Sequence, residues 1–390
     1  MLRRPLIRQR QHHCTFKRPR CPPPYPVVVS EQANGSHDKS YFSASASNIR
    51  REESYYNQHP QQRHARKWKQ TRNHIGDTYS QLTEQLLDQR SIPVGSFLAN
   101  HFQEAIKATH RWSSLHSPSG VDKSLQLLDR SLKEVDFYSK SGQLLPTSIR
   151  VQNLLEVIVN GWRICFSQNH NNNNNNDPST MTPYQMLERL EAYVEKHPEL
   201  ALNDKVHNML LDAAANARSY SDGPMFCDSF LHTIIFNAQQ PFSSSPIPTP
   251  VGFGSVIHAW ATSSHPDSTQ KAQETLQHMY YLQQHWWPTL MPTVIHNNAV
   301  LNAWARAGHT ERAESLLRTM YEDYASGKSS TQPDVVSFTT VLAAHAKARS
   351  SSSSLSLHRN AERAEAILHL MLELYDSGDL DVKPDASKLQ

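Results

Sequence analysis

The stretch ERAESLLRTMYEDYASG runs from Glu311 to Gly327, and ERAEAILHLMLELYDSG runs from Glu362 to Gly378. The second is a near-copy of the first, 51 residues further on. Self-similarity at a fixed offset marks a repeat architecture. In the first copy Ala313, Leu316, Leu317, Met320 and Tyr324 recur at helical spacing. Ala364, Ile367, Leu368, Met371 and Tyr375 take the same places in the second. That spacing predicts one apolar stripe on a helix, flanked by Glu and Arg. Thr310 and Asn360 are expected to cap the two starts, with Glu311 and Glu362 in the first turn. Gly327 and Gly378 are expected to close the ends in the left-handed conformation. A weaker copy, with Ala272, Leu276 and Met279, begins at Thr269.

Each of these helices follows another. NNAVLNAWARAG (Asn297–Gly308) carries Val300, Leu301, Trp304 and Ala307 on one face. GSVIHAWATS (Gly254–Ser263) matches it with Trp260, and TTVLAAHAKA (Thr339–Ala348) matches it with His345 in the Trp place. Trp260 and Trp304 fall on the packing stripe and are expected in the core. Before each first helix stands Pro plus a short polar residue: Pro248-Thr249, Pro292-Thr293, Pro333-Asp334 and Pro384-Asp385. Proline there ends one unit and lets the next begin. The unit is therefore helix, turn, helix, and then a stop. One such hairpin cannot bury its stripe alone, so stacking on neighbours predicts an all-α fold, an α-solenoid of helical hairpins.

Upstream the pattern weakens. NDKVHNMLLDAAANA (Asn203–Ala217) with MFCDSFLHTIIFNAQ reads as one unit. PTSIRVQNLLEVIVNGWR (Pro146–Arg163) with TPYQMLERLEAYVEKH reads as another. Ile92–Trp112 with Val121–Tyr138 is the expected first hairpin. The expected organisation is a disordered basic arm over 1–77, degenerate hairpins over 78–203, and repeats over 204–390. Those repeats divide at about 204–249, 250–293, 294–334 and 335–385. HNNNNNND (His170–Asp177) and the serine-rich run from Ser350 to Asn360 are read as loops inserted within units, and SGKSSTQ (Ser326–Gln332) as a lengthened turn.

Charge is divided unevenly. The first 75 residues hold 15 Lys/Arg against four Asp/Glu, about +11, which leaves 24 against 32, about −8, for the rest. The arm is Arg-rich, holds Ser and has no acid before Glu31. With no apolar core it is not a secretory signal, and it reads as an organellar transit peptide, mitochondrial before plastid. The bland alternative is a basic tail that binds polyanions without selectivity. His12, His13, Cys14 and Cys21 fit no metal-ligand spacing, and the four cysteines form no CxxC pair, so free thiols are expected. No apolar run is long enough to span a membrane. No metal or cofactor is expected.

VIHNNAVLNAWARAG…ERAESLLRTM…PD and VVSFTTVLAAHAKA…ERAEAILHLM…PD resemble the pentatricopeptide repeat family. The likeness is close over Thr249–Asp385 and looser over Pro146–Pro248. It implies a superhelical groove that binds single-stranded RNA, about one base per repeat, read by two or three side chains. It places the base-reading residues at the fifth position of the first helix and the last of the repeat. These are Asn208 with Thr249, Gly254 with Thr293, Asn298 with Asp334, and Thr339 with Asp385. By the resemblance, Asn298 with Asp334 would favour uracil and Thr339 with Asp385 guanine. Gly254 with Thr293 would read poorly, and the preference of Asn208 with Thr249 is open. Val251, Ile295 and Val336 would sandwich bases, and Arg306, Lys347 and Arg349 are candidates for phosphate.

The expected function is RNA binding in organellar RNA processing, stability or translation, with RNA-processing or ribosomal proteins as further partners. The alternative is a protein-interaction scaffold on the same solenoid. An enzyme is not expected. There is no HxE…PCxxC signature, no clustered acidic nuclease site and no Gly-rich phosphate loop.

Overall fold

The computed structural model describes residues 78–115, 117–142, 150–171, 180–197, 200–241, 243, 245–348, 354–378 and 382. The basic arm, Arg349 and Asp385 lie outside the described residues, which are all-α, with no strand among them. In chain order the helices are α1 (78–87), α2 (Phe97–Leu115), α3 (Pro118–Ser141), α4 (Val151–Asn171) and α5 (Pro183–Lys196). Then come α6 (Asp204–Asn216), α7 (Gly223–Ala238), α8 (Pro250–Thr262) and α9 (Ser268–His285). The last are α10 (Val294–Arg306), α11 (Thr310–Ala325), α12 (Val335–Ala348) and α13 (Ser354–Asp376). None of them is long and apolar enough to cross a membrane.

Short polar residues start these helices by satisfying backbone N–H groups that have no partner within the helix. Asn203 accepts from Val206 N at 3.0 Å, and Thr249 accepts from Gly252 N at 3.0 Å. Thr182 and Gln185 form a reciprocal box at the start of α5. Asp334 accepts from Ser337 N at 2.9 Å while Asp334 N donates to Ser337 Oγ at 3.1 Å. Proline takes the first position of α3, α5 and α8, where no N–H is needed. Gly327 and Gly378 end α11 and α13 with φ of 72° and 75°, the left-handed region that favours glycine.

Two starts differ from expectation. α11 begins at Thr310, but its capping residue is His309, and Thr310 is buried as the first helical residue. The His309 ring stands edge-on to Trp304 at 5.3 Å, which fixes the chain one residue earlier. α13 begins at Ser354, so Asn360 and Glu362 lie inside the helix and neither caps it nor sits in its first turn. The serine run read as a loop up to Asn360 is thus helical from Ser354 onward. Serine costs a helix only about 0.5 kcal/mol against alanine. A run without Gly or Pro can therefore be drawn into a strong helix that follows it.

The even-numbered helices from α2 to α12 pack each on the next. Each of α3, α5, α7, α9 and α11 packs against the even helix that follows it. An interior helix such as α8 therefore meets four others, α6, α7, α9 and α10. This explains why its sequence is apolar on nearly every side. Phe253, Val256, Ile257 and Trp260 are all buried, as are Val300, Leu301 and Trp304 on α10 and Phe338, Val341 and Leu342 on α12. A buried side chain of this size contributes about 1.5–3 kcal/mol. On the odd helices Ala313, Leu317 and Met320 are buried, and so are Ile367 and Met371. Tyr324 packs partly against this core, whereas Tyr375 is exposed.

Candidate functional site

Crowding on four sides leaves each interior even helix one open face. On α8 the exposed residues are Val251, His258 and Thr262; on α10 they are Ile295, Asn302 and Arg306. On α12 the matching exposed residues are Val336, Ala343 and Lys347. These are the second, ninth and thirteenth residues of each helix. With the fifth they form one stripe, at i, i+3, i+7 and i+11. The fifth residues are Asn208 on α6, Gly254 on α8, Asn298 on α10 and Thr339 on α12.

Along this stripe the chemistry changes from one end to the other. At the N-terminal edge stand aliphatic side chains, with Val251 64 % exposed, Ile295 75 % and Val336 49 %. Isolated exposed aliphatics are common, but the same type at the same place on three neighbouring helices makes a row. Next come the fifth residues and the capping residues of the following helix. Thr249 Oγ1 donates to Asn208 Oδ1 at 2.7 Å, and Asn298 Nδ2 donates to Asp334 Oδ1 at 3.0 Å. These two expected pairs are in contact across the seam between neighbouring helices.

The third pair is not. Gly254 has no side chain, and Thr293 turns to His296, whose Nδ1 lies 2.8 Å from Thr293 Oγ1 and accepts from Thr293 N at 3.0 Å. His296 Nε2 then donates to Pro250 O at 2.8 Å. Those partners place the ring proton on Nε2. The hydroxyl of Thr339 donates to Val335 O at 2.7 Å on its own helix. Its expected partner, Asp385, lies outside the described residues.

At the far edge the stripe ends in Arg306 on α10 and Lys347 on α12, with Thr262 at the same place on α8. A groove of about 1070 Å³ crosses α4, α6, α8 and α10, lined by Arg163, Asp212, Arg218, His258 and Arg306 among others. A second, of about 260 Å³, lies between α10 and α12 and holds Arg306, Thr339 and Lys347. Arg163 is bonded to Asp212. Arg306 donates to Ala261 O at 3.2 Å, a bond that leaves most of its fork open. Although His258 is exposed at its outer edge, partial desolvation of its imidazole holds it below its usual pKa, with Asp212 opposing and Arg306 adding to the effect. His258 is therefore neutral near pH 7, and the groove's charge comes from its arginines and Lys347. Four cations and one carboxylate line these two grooves, the reverse of the acidic balance of residues 76–390.

The seam chemistry differs upstream. Between α4 and α6, Glu156 accepts from Asn203 Nδ2 at 2.7 Å and pairs with Lys205 at 3.3 Å. The fifth residue of α4, Leu155, is buried. Trp260 and Trp304 are buried in the core, and Trp304 Nε1 donates to Gln273 at 2.7 Å. His345, in the Trp place of α12, is buried with its Nε2 3.4 Å from Glu314 Oε2, close enough to pair but without hydrogen-bond geometry. Cys165 and Cys227 are buried and are not joined in a disulfide.

The sequence reading overlooked His296 and Ser337. Ser337 is fully buried and donates to Asn298 Oδ1 at 2.7 Å. Both are third residues of their helices, and only the packing of one even helix on the next reveals what a third residue touches. No protein-family model matches this chain, and no curated protein sequence matches it.

Proposed function

We propose that the hairpins form a pentatricopeptide-like α-solenoid whose open stripe binds single-stranded RNA. One observation carries this reading. Across two seams the fifth residue of one even helix meets the capping residue of the next, on a stripe bounded by aliphatics and by cations. Each part suits a nucleotide. Aliphatic side chains on successive helices can flank a base, and a positive edge attracts phosphate. Asn298 uses one amide N–H on Asp334 and keeps the other, while Asp334 keeps Oδ2. A donor beside an anionic acceptor suits an imide edge, which favours uracil. Asn208 keeps both amide N–H groups, because Thr249 engages only its oxygen.

On this reading the protein occupies a strand and performs no chemistry of its own. The arm, read as a transit peptide, would take it to an organelle, mitochondrial before plastid, to act in RNA processing, stability or translation. Fractionation of tagged full-length protein tests the address. Gel shift with short RNAs at moderate salt tests the binding. Asn298→Ser should weaken the preference for uracil at one position while leaving the fold intact. Equal binding to every RNA, traced to the first 75 residues, would overturn the reading. The row of Val251, Ile295 and Val336 also suits the side chains of an extended peptide. If Ile295→Ser abolishes capture of a protein partner and RNA never binds the stripe, the scaffold reading replaces this one.

A further inference from the structure

Three consecutive seams share one contact. The fifth residue of an even helix faces the third residue of the next, and their sizes are reciprocal. Asn208 on α6 faces Gly252 on α8, where an added Cβ would lie 3.1 Å from Asn208 Oδ1. Gly254 on α8 faces His296 on α10, where an added Cβ would lie 3.3 Å from His296 Nε2. Asn298 on α10 faces Ser337 on α12, which bonds it at 2.7 Å. Asn meets Gly, Gly meets His, and Asn meets Ser, so no seam pairs two large side chains. Both Cβ distances are tighter than ordinary van der Waals contact, so each seam holds one large group at most.

We propose that His296 is a fixed plug that makes the α8 step silent. RNA on the stripe is then read on either side of one nucleotide that is not read. This deepens the RNA reading above and rests on it. At this step both side-chain donors are already engaged within the protein. Gly254 has no side chain. The Thr293 hydroxyl lies against His296 Nδ1, and Nε2 is spent on Pro250 O. His296 is only 7 % exposed, so its ring fills the space without facing a ligand. The flanking steps differ, because Asn208, Asn298 and Asp334 all keep free donors or acceptors. The aliphatic row is unbroken across the silent step, with Val251 and Ile295 both exposed. A base can therefore lodge there, but nothing distinguishes one base from another. The ligand class is a short single-stranded RNA with selected bases on either side of an unselected one.

The test is selection of randomised RNA by the full-length protein, followed by sequencing of the bound pool. Wild type should show a blank position with a selected position on each side of it. The double variant Gly254→Asn/His296→Ser rebuilds the Asn298–Ser337 arrangement at the silent step. It should gain a preference of about tenfold at the blank position, the worth of roughly one good base-edge contact. His296→Ser alone should leave the position blank, because Gly254 still offers nothing. Circular dichroism melts of each variant check that the fold survives. Selection at three consecutive positions by wild type would overturn the plug, as would a folded double variant that stays blank. Asn298→Ser in the same experiment separates the two claims. If it alters a neighbouring position while the middle one is selective, RNA reading stands and the plug falls. A pool with no selected position overturns both.

Discussion

His207 shows how a single side chain can hide from a sequence and still govern stability. It is the fourth residue of α6, and its ring stands edge-on to Phe230 at 5.4 Å. Burial lowers its pKa to about 4, with Asp204 opposing. Above the unfolded value of 6.5 both states are neutral, and the group has no effect. As pH falls below 6.5 the unfolded chain takes up a proton that the folded chain refuses until about pH 4. Stability should therefore fall across that window, by up to about 3 kcal/mol. Urea unfolding at pH 7 and pH 4.5 checks this, and His207→Asn should flatten the loss. Equal pH slopes in the two proteins would refute it. At this scale the sequence was legible where a residue lies on an apolar stripe. Trp260 and Trp304 are core residues because helical spacing demands it. It was not legible for His207 or His296, whose burial depends on a neighbouring helix that no local pattern names. The histidines edge-on to the tryptophans, His265 to Trp260 and His309 to Trp304, are a repeated signal that could have been found.

Helix ends followed the same division. Thr249, Thr293 and Asp334 stand before proline-marked helices, and short polar caps are readable from sequence. The start of α13 was not, because a serine-rich composition signals a loop, and composition is weaker than the pull of a strong helix beside it. Close packing between elements is equally silent in a sequence. Gly161 on α4 lies against α2, where an added Cβ would fall 2.9 Å from Ser113 Cβ and 3.3 Å from its Cα. Gly161→Ala should therefore destabilise the protein by about 1–3 kcal/mol, although alanine is the better helix former by about 1 kcal/mol. Chemical denaturation measures the sign. A stabilised variant would mean that α2 and α4 can separate without loss.

For the whole molecule, the overall acidity of residues 76–390 suggests little affinity for nucleic acid, yet the lining of two grooves carries the opposite sign. Composition averages over faces, and packing sorts them. If Arg306 meets a phosphate, Arg306→Gln should reduce the slope of log affinity against log salt by about 0.7. The preferred bases should stay the same. An unchanged slope would place the strand elsewhere. The all-α class was legible from the helical period, since the buried residues of α11 and α13 fall on the duplicated words. The open stripe was legible only in part. Its fifth residues and two of its cations, Arg306 and Lys347, could be named, but Arg163 and Arg218 join them only once the helices stand side by side.

The reciprocal fit of fifth and third residues reaches beyond a single step. Half of every joint belongs to one hairpin and half to the next. A hairpin transplanted into another array would arrive with a mismatched shoulder, either a void or a collision. Modular exchange in this chain therefore works only in overlapping pieces that carry both partners, and drift at one position constrains what its neighbour 39, 42 or 44 residues away can become.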